Sequence, residues 1–239
     1  MIKYIFKKCV LYPVRKIIDR EAGRVLAMRD QNILACRQRE SLESTVRFVN
    51  EHLLETRAVR TKEELLDIAI DAVPAERDGL YCEFGVFKGA TISRMALRRS
   101  GRKFYGFDSF EGLPEDWKPG CGKGAFDLKG ILPRVPANVE LIKGWYDQSL
   151  PSFLESHPGS ALLLHIDCDL YSSTKCVFDL LGERIGPGTV IVFDEYFNYP
   201  GWEFGEHKAW NELVAQRGLR FEYLGYNELN EQLAVRVTG

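Results

Sequence analysis

Strands alternating with helices from residue 80 onward predict an α/β fold: a mostly parallel sheet of seven strands whose last two form an antiparallel hairpin. Two features carry this reading. Ala161–Ile166 and Thr189–Phe193 are nearly continuous apolar runs, the pattern of strands covered on both faces. Phe221–Gly225 and Leu233–Val237 are separated only by a short polar stretch, Asn227–Glu231, as in a hairpin. Sheets of this kind bind ligands outside the carboxyl ends of their strands, so the chemistry is expected just after each strand.

The chain ahead of the sheet reads as helical, and residues 1–60 are expected to form a helical N-terminal extension to a domain spanning 61–239. Ile2, Ile5, Phe6, Cys9 and Val10 share one helical face, flanked by Lys3, Lys7 and Lys8, before Pro13 interrupts the pattern. Ser41–Leu54 and Thr61–Ala72 follow as helices, the second opened by the capping-box pair Thr61 and Glu64. Strand Leu80–Phe84 then leads into helix Ala90–Arg99, and strand Lys103–Phe107 into a Gly/Pro-rich stretch, Gly112–Pro136, too long for a plain connector. Strand Val139–Lys143, helix Ser149–Ser156 and strand Ala161–Ile166 come next. Helix Ser172–Leu181, the turn Gly186-Pro187-Gly188 before strand Thr189–Phe193, and helix Glu206–Arg217 complete the alternation.

With 239 residues, 45% hydrophobic and 28% charged, the chain can bury the core of one sizeable domain. Its net charge of −2 is unevenly divided: residues 1–60 hold 13 Lys and Arg against 7 acids, and the remainder 19 against 27. That excludes a polyanion-binding surface on the main domain, and nucleic acid with it. The basic start suits either an anionic membrane surface, met through residues 2–18, or packing; packing, on a partner subunit or on the protein's own core, is preferred, and a homo-oligomer is expected. No apolar run reaches the ~18 residues of a bilayer span, and no secretory signal is evident. The six cysteines lack CxxC or metal-finger spacing, so reduced thiols and a cytoplasmic location are expected.

The first strand ends in Glu83-Phe84-Gly85-Val86-Phe87-Lys88-Gly89-Ala90-Thr91, a glycine turn that lets backbone approach a ligand. Phe84 and Phe87 would crowd a dinucleotide pyrophosphate and Glu83 would repel it, whereas a cationic ligand would be attracted. Asp108, ending the second strand, stands where an acid receives two ribose hydroxyls, although an Asp there can also simply cap a turn. Two acidic constellations end later strands: His165-Ile166-Asp167-Cys168-Asp169, and Asp194-Glu195 after Phe193. Carboxylates at the ends of buried strands need a compensating partner, and hard oxygen donors on adjacent strand ends suit Mg²⁺. His165, preceding the strand end, reads better as a satisfied core residue.

Five motifs in fixed order add a resemblance. Glu-x-Gly-x-x-x-Gly at 83–89, Asp-Ser-Phe-Glu-Gly-Leu-Pro at 108–114, Gly-Trp-Tyr-Asp-x-x-Leu-Pro at 144–151, Asp-x-Asp-Leu-Tyr-x-Ser-Thr at 167–174 and Pro-Gly-Thr-Val-Ile-Val-Phe-Asp-Glu at 187–195 resemble the macrocin O-methyltransferase family. Members are class I S-adenosylmethionine (SAM) methyltransferases of Rossmann-like fold that act on sugar hydroxyls with Mg²⁺. The resemblance covers about residues 62–225. It implies that Glu83, Gly85 and Gly89 line the methionine part of SAM with Thr91 near its carboxylate. Asp108, with Ser109 beside it, would hold the ribose, and Tyr146 and Asp147 would lie near the adenine. Asp167, Asp194 and Glu195 match the family's metal ligands, and either Asp167 or Asp169 its general base. Where relatives have Asp-Asp this chain has Asp194-Glu195, and the segment Tyr196–His207, with Asn198, Tyr199, Trp202 and Glu203, differs, so the acceptor does not transfer.

Two other classes are weighed against this one. An NAD-dependent sugar oxidoreductase or epimerase would need a glycine-rich pyrophosphate turn and a Tyr-x-x-x-Lys pair, and neither stands at the expected place. A methyltransferase-like module that binds without catalysing would have no need of acidic groups at every strand end. The expectation is a SAM-dependent O-methyltransferase acting on a small molecule, a sugar or other polyhydroxylated compound.

Overall fold

The computed structural model describes residues 12–118 and 120–239. Helices α1 (Tyr12–Gln31) and α2 (Ile33–His52) come first. They meet at Asn32, whose side chain accepts from the amides of Leu34 and Ala35 at 3.0 and 3.2 Å and so caps α2. The expected helix began at Ser41; with its cap at Asn32 it begins at Ile33, and its mostly exposed first turns carry no apolar period to reveal them. α1 includes Pro13. The apolar face from Ile2 to Val10 lies outside the described residues.

An added strand, β1 (Ala58–Val59), precedes α3 (Lys62–Ala72). The capping box forms: Thr61 Oγ1 accepts from the Glu64 amide at 3.2 Å, and the Glu64 carboxylate reaches back to the Arg60 amide at 3.0 Å. Then follow β2 (Leu80–Phe84), α4 (Ala90–Arg98), β3 (Phe104–Asp108), β4 (Val139–Lys143), α5 (Tyr146–Ser156), β5 (Ala161–Ile166), α6 (Tyr171–Leu181), β6 (Val190–Phe193), α7 (Glu206–Arg217), β7 (Phe221–Asn227) and β8 (Leu233–Val237). α5 starts earlier than expected, which puts Tyr146 and Asp147 in its first turn.

Among the described residues the sheet has eight strands, ordered β1-β7-β8-β6-β5-β2-β3-β4. Only the pairs of β8 with β6 and with β7 are antiparallel, as the hairpin requires. The fold is the Rossmann-like class I methyltransferase fold with a helical N-terminal extension. Both faces of the sheet are buried, which explains the unbroken apolar strands. On one face Phe84, Phe107, Phe153, Phe178 and Trp210 pack with α5, α6 and α7. On the other, Leu65, Ile70, Ile92, Tyr81 and Phe104 pack with α3 and α4.

Strand order also decides which polar residues meet. β5 lies beside β2 with His165 opposite Glu83, and beside β6 with Ile166 opposite Phe193. The residues just beyond β2, β5 and β6 therefore share one end of the sheet. α3 brings its N-terminus to the same end.

Candidate active site

At that end lies a cavity of about 420 Å³, within the range of small-molecule sites. One wall is built by the turn after β2, the end of β3 and the start of α5, with Gly85, Phe87, Asp108, Ser109 and Tyr146 lining it. The opposite wall is acidic: Asp167, Asp169, Asp194 and Glu195, with Lys62 among them. Trp117 and Lys118, from the long loop after β3, close the side.

The first wall is tied together by its own backbone. Asp108 Oδ2 accepts from the amides of Val86 and Phe87 at 2.9 and 2.8 Å, and its Oδ1 from the Phe110 amide at 2.7 Å. Gly85 has φ +93°, and a Cβ there would stand 1.7 Å from the carbonyl oxygen of Asp167. Only glycine lets the two walls approach this closely. Gly89, at φ +77°, is the N-cap of α4. It is not among the cavity-lining residues, and neither are Glu83, Thr91 and Asp147. Glu83 is fully buried beneath the floor, where it accepts from Thr91 Oγ1 and, at 3.0 Å, from His165 Nδ1. Asp147 is exposed on the first turn of α5.

The second wall gathers charge. Asp167, Asp194 and Glu195 each present a carboxylate oxygen, all within 4.8 Å of one another. Lys62 Nζ lies 2.6 Å from Asp194 Oδ1 and 3.3 Å from Asp167 Oδ2. His165 Nε2 approaches Asp194 Oδ1 to 3.5 Å from below, so this buried imidazole bridges Glu83 and Asp194. It is at once a core residue and a partner of the cluster. Burial opposes its charge, but its contacts with Asp194 and Glu83 prevail and raise its pKa to about 10. Burial would likewise raise Asp194, yet His165 and Lys62 outweigh it and hold that carboxyl down at about 2. Burial and the Asp194 charge push Asp167 up to about 7; burial and Asp167 push Asp169 up to about 8. Burial, followed by the charges of Asp194 and Asp167, drives Glu195 well above the usual carboxylate range.

Asp169 stands apart from the trio. It has φ +61°, unusual for a residue with a Cβ, and sits at the middle of a tight turn closed by the Leu170 amide on the Cys168 carbonyl at 2.6 Å. The two acidic loops are joined from behind by Glu206, the buried first residue of α7. Its carboxylate accepts from the amides of Cys168 at 3.3 Å and Glu195 at 3.2 Å.

These residues fit a hard divalent cation. The donors are all carboxylate oxygens, and Glu195 Oε2 is buried with no hydrogen-bond partner among the described residues. Lys62 and Glu206 did not stand out in the sequence. One signal for Lys62 was available: a lysine at the first position of a helix opposes the helix dipole and needs a reason.

The segment after Glu195 is held by the N-terminal extension. Gln38 donates to the Asn198 carbonyl at 2.7 Å, Thr45 Oγ1 accepts from the Asn198 amide at 2.9 Å, and Trp202 Nε1 donates to Ser44 Oγ at 2.8 Å. Phe48 of α2 packs among Tyr196, Phe197, Trp202 and His207. Tyr199 is buried behind the cavity-lining Trp117 and Lys118: Lys118 Nζ lies 3.6 Å from the Trp117 ring centroid and 5.6 Å from that of Tyr199.

A class I methyltransferase is the class of protein that this sheet and its cavity describe. Residues 82–196 match the family model described as a methyltransferase domain. Over 161 residues the chain is 31% identical to the uncharacterized protein R132 of Acanthamoeba polyphaga mimivirus, covering 63% of this chain and 69% of that one. It is 29% identical over 155 residues to the 8-demethyl-8-(2,3-dimethoxy-alpha-L-rhamnosyl)-tetracenomycin-C 4'-O-methyltransferase of Streptomyces olivaceus. That match takes in 54% of this chain and only 56% of the relative's length. The crystal structure of CalS11, a calicheamicin methyltransferase, shares the fold with a TM-score of 0.58 at 22% identity, over 73% of this chain and 77% of that one. Residues 82–196, a little under half of the chain, thus form a methyltransferase domain, and this catalytic unit is of the SAM-dependent class. The oxidoreductase alternative falls with that assignment. The matched residues include both walls of the cavity but neither Lys62 nor Glu206.

Proposed function

We propose that this protein transfers a methyl group from SAM to a hydroxyl of a sugar or other polyhydroxylated small molecule, with Mg²⁺, in the manner of the macrocin-type O-methyltransferases. The observation that carries the reading is the carboxylate trio, with its unpartnered Glu195 oxygen, opening onto the same cavity as Gly85 and Asp108. The name of the S. olivaceus relative, a 4'-O-methyltransferase of a rhamnosyl compound, supports a sugar acceptor.

Bound SAM supplies an activated methyl group, so the protein's task is to orient an acceptor oxygen and help it lose a proton. A divalent ion on Asp167, Asp194 and Glu195 would make a sugar hydroxyl, otherwise a very weak acid, easier to ionise. Asp108 and Ser109 orient the ribose, and Tyr146 borders the adenine. Glu83 and Thr91 fix the turn from below, and Gly85, Gly89 and the start of α4 shape the space for the methionine part. Asp169, outside the trio but on the same cavity, takes the acceptor proton; Asp167 is committed to the cluster. Trp117, on the side of the same cavity, gives a sugar ring an apolar face to rest on.

The test is transfer of labelled methyl from SAM to a panel of glycosides and nucleotide sugars, with and without chelator. Asp194→Asn should reduce transfer about 10³-fold or more with the fold retained by circular dichroism. Full activity in that variant, or in chelator, rejects the metal assignment.

The exposed side chains of Val14, Ile17, Ile18 and Val25 on α1 support a homo-oligomer. Replacing Ile17 and Ile18 by Asp should then lower the mass seen in sedimentation, and vesicle binding that disappears instead would favour a membrane surface. A cytoplasmic location belongs to the same proposal, checked by cell fractionation.

A further inference from the structure

Lys62 is an unusual choice for its position. It opens α3, where the helix dipole already concentrates positive charge and where Glu63 and Glu64 are the favoured residue type. A local cost of this kind is expected only where the side chain gains something elsewhere. The gain is in the cavity: the ammonium contacts Asp194 Oδ1 at 2.6 Å and Asp167 Oδ2 at 3.3 Å. Those are two of the three carboxylates that converge within 4.8 Å.

One ammonium does not balance the trio. His165 is shared between Glu83 and Asp194, and Glu195 Oε2 is buried without a partner among the described residues. The cluster therefore still holds a buried carboxylate oxygen with no partner among the described residues while Lys62 sits on it. A divalent ion with oxygen ligands at about 2.1 Å needs the same carboxylate oxygens and the space between them. The stem of Lys62 is flexible and leaves from the end of a helix, with about a quarter of the side chain exposed, so it can withdraw without disturbing the fold.

We infer that Lys62 is a built-in competitor for the cation site, holding Asp167 and Asp194 in place until a divalent ion displaces its ammonium from them. The inference rests on the metal reading proposed above. Ion and ammonium are mutually exclusive on these oxygens, so each weakens the other's hold by the same factor. The site then loads only when the ion is plentiful enough to displace the lysine, and the carboxylates do not repel one another open beforehand.

The test is titration of Mn²⁺ into the full chain, without SAM or acceptor, followed by electron paramagnetic resonance. Lys62→Met should bind Mn²⁺ about tenfold tighter or more, because a positive charge beside the ion has been removed. Lys62→Arg, which keeps the charge, should stay near the wild-type affinity. Without metal Lys62→Met should also melt at a lower temperature, and Mn²⁺ should raise its Tm by more than it raises that of the wild type. A merely structural ion pair would lower stability without tightening metal binding. Equal or weaker Mn²⁺ affinity in Lys62→Met, with binding intact in both proteins, overturns the competition and leaves the metal reading standing. Absence of Mn²⁺ binding in every form overturns the metal reading and this inference together. If Lys62→Met does not fold, Lys62→Gln carries the same comparison.

Discussion

The two walls of the cavity solve opposite problems with the same residue type. On the glycine-turn wall Asp108 meets three backbone amides of its own turns, so its carboxylate is satisfied before any ligand arrives. On the acidic wall Asp167, Asp194 and Glu195 crowd one another, with Lys62 and His165 as incomplete compensation. The first arrangement shapes a surface in advance, which suits a ligand that must be held in one pose. The second stores unfavourable electrostatics that a cation would relieve, which suits a site whose charge changes on loading.

Four changes would break or sharpen that contrast. The largest effect is expected where the walls touch. Gly85→Ala forces a Cβ against the Asp167 backbone at a positive φ, and chemical denaturation should show a loss of about 3 kcal/mol or more. Next is Asp108→Ala, which strips three amides of their acceptor. SAM binding by calorimetry should weaken about 10- to 100-fold, while Mn²⁺ binding at the other wall changes little. Equal loss of both ligands would mean that the walls are not separable.

The third is pH dependence in chelator. His165 keeps its proton up to about pH 10 when folded and to 6.5 when unfolded, so its contribution is full below 6.5 and is lost as pH rises through 10. Asp167 and Asp169, raised to about 7 and 8, also bind more protons folded than unfolded, so their ionisation lowers stability over the range from about 4 to 8. Asp194 acts in the other direction only under strong acid, losing its contribution as pH falls through 2. The Tm of the metal-free protein should therefore decline from pH 5 to pH 9, and Mg²⁺ should flatten the decline. A flat curve without metal would contradict the charge storage. The smallest effect is Ser44→Ala, which removes the acceptor of Trp202 Nε1. It should cost about 1 kcal/mol and raise KM for the acceptor while leaving SAM affinity unchanged.

What the sequence revealed, and what it hid, follows from how local each signal was. Ala161–Ile166 announced itself because both its faces are covered, and Asp167, Asp194 and Glu195 could be grouped because they end neighbouring strands. β1, with two residues, is too short to show any alternation. Glu83 read as open to a ligand because its partner, His165, lies 82 positions away and meets it only once β5 is known to flank β2. Lys62 was silent for the same reason: it stands 105 positions from Asp167 and precedes the first long strand.

The grip of α2 on the chain after Glu195 has a consequence for where this enzyme ends and its appendage begins. A fragment cut at residue 61 would retain every residue that lines the cavity. It would lose Gln38, Ser44 and Thr45, the three polar fasteners of the segment after Glu195, together with the Phe48 ring lodged against it. The extension is thus a buttress for the chain that leaves Glu195, so a substitution on a helix outside the cavity is felt next to one of its acidic residues.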